Sequence, residues 1–248
     1  MKKSAIFSSL FLIVVWFILY YAVQRPFIIP SPIETIKYLG SVLTTSVFYK
    51  SIFMSLFRIL FGFLLSLLIA LILAIISFEI PVFANIFAPI NLLTKTIPNI
   101  SYMIIALIWF GSEGAVITVV FMILFPIFYN SFYDTLRNEN KTLLDVERIY
   151  KESFLFKLKN RTLPQLFPNI LATGKTAASL GFKVGVMAEI LGSVNLGIGR
   201  QISFCKTQLD MAGIFAWTFV IILICVLLDY LFNILINLRI KEEQGWKS

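Results

Sequence analysis

The chain has 248 residues, of which 59% are hydrophobic and 14% charged, with a mean hydropathy of +0.90 and a net charge of +8. A soluble domain carries about 25% charged residues, so lipid is the expected solvent for most of this surface. Histidine is absent and the only cysteines are Cys205 and Cys225. That combination speaks against a metal site, a disulfide framework and histidine-based catalysis, and bases gathered between apolar runs speak against a nucleic-acid surface.

Lys2 and Lys3 precede an apolar run from about Ala5 to Val23. The run exceeds the roughly 7–15 residues of a signal-peptide core, and no small-x-small cleavage site follows. It is expected to be a retained first span. Next, Ser31-Pro32-Ile33-Glu34 has the form of a helix start: a capping serine, a proline at the first helical position and a glutamate completing a capping box. Ile33, Ile36, Leu39, Val42 and Leu43 recur at helical spacing, predicting an amphipathic helix too short to span that lies on the outer surface.

A crossing helix needs about 20 residues. Candidate spans run over 5–23, 52–77, 82–109, 115–133, 168–191 and 212–237, and the third is interrupted by Lys95, Pro98 and Asn99. With the N-terminus inside, inner segments hold thirteen of the twenty-one Lys and Arg and outer segments five, predicting both termini on the cytoplasmic side.

Within the fifth span, Gly174-Lys175-Thr176 suggests a phosphate-binding loop, but the glycine required five positions earlier is Asn169. Any ATP is expected on another chain. Gly181 and Gly185 have the G-x-x-x-G spacing that lets helix backbones approach, either inside one bundle or across a dimer axis. Charges inside spans cost about 3 kcal/mol each on insertion scales. Lys95, Lys183 and Glu189 are therefore candidates for a solvated path, with Pro98 and Tyr102 beside Lys95, whereas Arg58 and Asp229 are read as structural.

Residues 134–169 are too polar to span. Val146, Ile149, Tyr150 and Phe154 recur at three-to-four spacing, predicting a short amphipathic helix that a soluble partner's groove could take.

Several stretches together carry a resemblance. The segment from Asp145-Val146-Glu147 through Lys151 and Arg161 to Leu163-Pro164 keeps the spacing of a cytoplasmic loop of the form E-A-A, three residues, Gly, nine residues, Ile-x-Leu-Pro. IIPSP (28–32), SLFRILFGF (55–63), KTIPNISYMIIALIWFG (95–111), FPIFYNSFYDTLRN (125–138) and AEILGSVNLGIGRQI (188–202) come in the order of the same family. On these residues, the sequence resembles the permease subunits of binding-protein-dependent ABC importers, in the branch that handles sulfonates, taurine, nitrate and thiamine precursors.

The resemblance implies an all-α integral membrane protein of the type I importer permease fold. It would form one transmembrane domain over 1–248, with six transmembrane helices, an outer-surface helix and a cytoplasmic coupling helix at about 143–158 in a loop at about 138–166. It implies a bacterial inner-membrane location, a homodimer, two cytoplasmic ATP-binding subunits that hold the ATP-Mg, and an extracytoplasmic solute-binding protein. Nothing catalytic, no metal and no cofactor is expected on this chain. The ATPase contact would fall on Asp145, Val146, Glu147, Arg148, Tyr150, Lys151, Glu152, Ser153, Leu163 and Pro164. Lys151 stands where the family has glycine, and Val146 and Glu147 stand where it has alanines, which implies an altered groove on the ATPase. A small anion such as a sulfonate or nitrate is the expected solute, with a thiamine precursor or other aromatic solute as the alternative. A transporter driven by an ion gradient is disfavoured, because neither paired intramembrane acids nor an inverted repeat is found.

Overall fold

The structure, a computed structural model, describes residues 2–138 and 153–245. Eight helices of ten or more residues, and no strand, are present among them: α1 (Lys2–Val23), α2 (Pro32–Leu43), α3 (Ser46–Glu79), α4 (Pro81–Thr96), α5 (Asn99–Arg137), α6 (Leu163–Gly192), α7 (Ile198–Thr207) and α8 (Met211–Gly245). The all-α membrane architecture follows from their composition. Ser46–Glu79, Asn99–Arg137 and Met211–Arg239 are each long and apolar enough to cross a bilayer, and α1 contributes a shorter apolar stretch, Leu10–Val23.

The α2 start is as its sequence dictates. The Ile33 amide donates to Ser31 Oγ at 3.2 Å, and the Ser31 amide donates to the Glu34 carboxylate at 3.3 Å. These reciprocal bonds satisfy two amides that a helix start otherwise leaves open. At 12 residues α2 is about 18 Å long and does not span. Together with α7 it covers one end of the bundle, where Tyr38 Oη and Cys205 Sγ are 3.2 Å apart. This is called the capped end below, and the end where residues 138 and 153 emerge is the loop end.

α5 is two helices. Gly111 has φ 67° and ψ −177°, a backbone region essentially reserved for glycine. Tyr102 and Met122 line the same cavity, whereas 20 residues of straight helix would hold them about 30 Å apart. The chain therefore folds back at Gly111, with 99–110 running along 112–137. The reversal falls between the expected third and fourth spans. The expected third span, 82–109, is itself not continuous: α4 stops at Thr96, Ile97 and Pro98 are extended, and a new helix begins at Asn99. Pro98 has no amide to continue the ladder and pushes the residue before it out of helical geometry. Helix also reaches further into the polar middle than the sequence predicts, to Arg137 on one side and from Leu163 on the other.

The core forms where α3 and α6 close on 112–137. α3 buries Ser51, Ser55, Gly62, Ser66, Ala70, Ala74 and Ser77, a stripe of small residues recurring every three to four positions except between Ser55 and Gly62, where Arg58 and Ile59 are buried instead. Against it lie Val116, Val120, Leu124 and Phe128. A Cβ on Gly62 would come within 2.9 Å of the Ile117 carbonyl oxygen, so backbones meet here without side chains between them. On α6, Gly181 receives Leu124, whose Cδ1 would lie 2.8 Å from an added Cβ, and Gly185 receives Ile59 and Val120. Both glycines of the G-x-x-x-G pair thus take up neighbours inside this chain's own bundle.

α1 stands at the periphery. Trp16 stacks on Phe215 and Phe219 at 5.6 and 5.8 Å, and its indole donates to the Pro30 carbonyl at 3.1 Å.

Candidate functional site

With 82–109 as a crossing span, the break at Ile97–Pro98 falls inside the membrane, between two helical pieces. α4 carries 16 residues, about 24 Å, before it. The second piece carries 12 more, about 18 Å, before the Gly111 reversal. Irregular backbone at this depth is compatible only with burial in protein or with a water-lined cavity, because lipid offers it no hydrogen bonds. In this chain Lys95, Thr96, Ile97, Pro98, Asn99 and Ile100 are all exposed.

Local hydrogen bonds hold the break open in a defined form. The Ile97 amide donates to the Leu93 carbonyl at 3.2 Å, and the Ser101 amide to the Pro98 carbonyl at 2.9 Å. Tyr102 Oη donates across the break to the Thr94 carbonyl at 2.9 Å, tying the two half-helices together. No side chain caps the new helix at Pro98, so its first amides, carrying the positive end of a helix dipole, point at whatever occupies the adjacent space. Lys95 sits in the last turn of α4 beside them. One cation, open amides and two exposed polar side chains, Thr96 and Asn99, therefore gather at the break. A cavity of about 310 Å³ adjoins it, walled by Tyr102, Ile105, Trp109, Phe121 and Met122.

The other candidate path residues lie elsewhere. Lys183 is exposed on α6. Glu189, expected beside a solvated path, is instead fully enclosed in an ion network with Arg58 at the capped end. Arg58 is 3% exposed; its guanidinium donates to Glu189 and the Leu196 carbonyl and forms an ion pair with Glu113 through Nε. Glu189 also accepts from Ser55 Oγ at 2.7 Å and from the Gly199 amide at 2.9 Å, while the Ile198 amide donates to Ser55 Oγ at 2.8 Å. A Cβ on Gly197 would come within 2.7 Å of the Glu189 carboxylate. This network joins α3, the start of 112–137, the end of α6 and the entry to α7. The structural reading of Arg58 is thus accompanied by a partner, Glu189, that the sequence assigns elsewhere.

Of the expected ATPase-contact residues, Asp145, Val146, Glu147, Arg148, Tyr150, Lys151 and Glu152 lie outside the described residues. Ser153 caps a single helical turn, Phe154–Lys157, accepting from the Phe156 amide at 3.4 Å. That turn runs through a π-helical turn, Leu158–Thr162, directly into α6. Phe154, Leu155 and Phe156 are exposed. Leu163 and Pro164 open α6 and, with Lys159, Phe167 and Arg239, line a groove of about 250 Å³.

At the loop end, side-chain hydrogen bonds pin helices together. Ser131 donates to Asn169 at 2.8 Å, Asn169 donates to Thr135 at 2.7 Å, and Asn91 of α4 donates to Asn130 at 2.8 Å. On the far side of α6, Lys175 lies 2.9 Å from Asn233 and 3.4 Å from Asp229.

Comparison with known proteins gives two relatives of one kind. The formylaminopyrimidine transport permease protein ThiX of Halalkalibacterium halodurans is 28% identical over 266 aligned positions, covering 98% of this chain and all of that protein. The putative aliphatic sulfonates transport permease protein SsuC of Bacillus subtilis is 25% identical over 128 positions, covering 49% of this chain and 46% of that protein. No family profile matches the chain. Both relatives carry the name of transport permeases, for a formylaminopyrimidine and for aliphatic sulfonates, and this chain is similar to them; its long apolar helices make it a membrane-embedded protein.

Proposed function

We propose that this chain is the transmembrane permease subunit of a binding-protein-dependent, ATP-driven importer. The observation that carries the reading is the similarity to a transport permease from end to end of both chains. The capped end is then the outer face, where a solute-binding protein docks. The loop end faces the cytoplasm with both termini. Two copies enclose the path, and the segment 143–158, continuing into the exposed Phe154–Phe156 turn, engages one of two cytoplasmic ATPase subunits. Those subunits hold ATP-Mg, and this chain supplies no catalytic group and binds no cofactor. The host membrane is a bacterial inner membrane.

The mechanism follows from differential binding. ATP closes the ATPase pair, and the loop transmits closure to α5 and α6, whose ends flank it. The solute-loaded binding protein favours one state from outside and ATP from inside, so the bundle is a two-state element biased at both faces. The break at Ile97–Pro98, with Lys95, Asn99 and Tyr102, supplies the polar surface that a solute needs inside the membrane.

A small heteroaromatic solute of the formylaminopyrimidine kind is favoured by the full-length relative. An anion such as a sulfonate is favoured by Lys95 beside the open amides of the helix start. Co-expression with a candidate ATP-binding subunit, followed by purification on a tag on this chain, tests the assembly. A stable complex whose ATPase rate rises with loaded binding protein is expected. Purification of this chain alone, with solute uptake driven by an ion gradient, would overturn it.

A further inference from the structure

The Arg58 network is asymmetric, and the asymmetry assigns its parts different jobs. Glu189 is fully buried and saturated: Arg58, Ser55 and the Gly199 amide all donate to it. Removing that carboxylate would strand a buried guanidinium among groups that cannot replace it. Glu113 is different. Its side chain is 44% exposed, and among the described residues it is held by an ion pair with Arg58 Nε and by a hydrogen bond from the Asn195 amide at 3.3 Å.

Glu113 stands two residues after the Gly111 reversal, so it marks the tip where 99–110 turns into 112–137. The tip also rests on Gly192, where an added Cβ would lie 3.6 Å from the Ser112 carbonyl oxygen, but its outward face is open. An added Cβ on Gly111 would meet nothing within 4 Å, and Trp109 and Phe110 are 72% and 57% exposed. If Glu113 lets go, Arg58 keeps Glu189 and the Leu196 carbonyl, and no apolar core is opened.

We propose that Arg58–Glu189 is a permanent brace, whereas Arg58–Glu113 is a releasable latch that fixes the tip of the third- and fourth-span hairpin to the capped end. Releasing it frees the hairpin tip to part from the loop 193–197 while α3, α6 and α7 stay joined. This goes beyond the transport reading and does not depend on it. If that reading holds, the latch is the element whose release opens the path on the capped side.

The test is hydrogen–deuterium exchange on the full chain in lipid nanodiscs, comparing wild type, Glu113→Gln and Glu113→Asp. Glutamine keeps an acceptor for the Asn195 amide but loses the charge that Arg58 needs, while aspartate keeps the charge. Glu113→Gln is expected to speed exchange about tenfold in peptides covering 106–116 and 193–197. Peptides in 55–66 and 177–189 should be unchanged, and aspartate should restore most of the protection. Unchanged exchange at 106–116 would overturn the latch. So would acceleration spread equally through α3 and α6, or a Gln variant that does not fold, since either would make Glu113 part of the brace.

Discussion

Replacing Glu189 with glutamine tests the brace most directly. The carboxylate has no solvent exposure and receives three donors from two other elements, Arg58 and Ser55 on α3 and the Gly199 amide at the start of α7. Glutamine has nearly the same shape but offers one acceptor atom and one NH₂ group. Ser55 Oγ and the Gly199 amide share one carboxylate oxygen and Arg58 holds the other, so the NH₂ must face either the first two donors or Arg58, and Arg58 loses a buried counter-ion. Breaking a buried ion pair from one side costs about 3–5 kcal/mol. Arg58 retains the half-exposed Glu113, so a value near the low end, about 3 kcal/mol, is expected. For a chain of this size that corresponds to a fall in melting temperature of roughly 6–12 °C. Thermal unfolding in detergent, followed by tryptophan emission, reads it directly. Arg58→Met should cost a similar amount, and the double variant should cost far less than the sum of the two, because the two residues act as one unit. A Glu189→Gln protein melting within a degree of wild type, or strict additivity with Arg58→Met, would refute the reasoning.

Two glycines with empty space around them should respond in opposite directions. Gly111→Ala has no steric neighbour but sits at φ 67°, so it is expected to destabilise by about 1–3 kcal/mol; Gly40→Ala lies in ordinary helix with nothing within 4 Å and should stabilise by about 0.5–1 kcal/mol. The same melting assay separates them. Burial raises the Cys205 thiol above the usual cysteine range and burial likewise raises Tyr38 beside it. Cys205 therefore stays protonated at neutral pH, and its alkylation by iodoacetamide should begin at higher pH than for a free thiol, becoming fast at pH 8 only after unfolding; mass spectrometry of the labelled peptide measures this. Lys95→Ala should lower solute uptake by the assembled importer while leaving assembly and melting temperature unchanged, and normal uptake would remove Lys95 from the path.

Much of the fold was legible because its causes are local. The capping box at Ser31 and Glu34 lies within four residues, and the apolar runs declare spans by length alone. The weak point at Pro98 was visible because proline acts on its own peptide and its neighbour. The network was not legible, because Arg58 and Glu189 are 131 positions apart and each, taken alone, admits a separate explanation. Weighing them together offered a clue: a cation in the second span and an acid in the fifth are cheaper as a pair than apart. The small-residue stripe of α3 was readable in the same way as Gly181 and Gly185, but its serines look polar unless their four-residue period is counted.

The arrangement of polar contacts bears on where the bundle can move. At the capped end, charge ties α3, α6 and α7 together through Glu189. At the loop end, Asn91–Asn130 and Ser131–Asn169 pin the helices by side-chain hydrogen bonds. Between them, the third span is cut at Ile97–Pro98, and a side-chain bond from Tyr102 to the Thr94 carbonyl bridges the cut. A helix interrupted inside the membrane bends there without losing further ladder bonds, since Pro98 has already removed the one that would resist. The half 99–110 is also the more weakly buried part of α5, with Met103 and Ala106 as its enclosed side chains. Displacement of this half about Pro98 and Gly111 therefore disturbs less packing than any rigid movement of 112–137, whose valines and phenylalanines fill the core. A polar surface on a piece less tightly packed than 112–137 fits the alternating exposure proposed above.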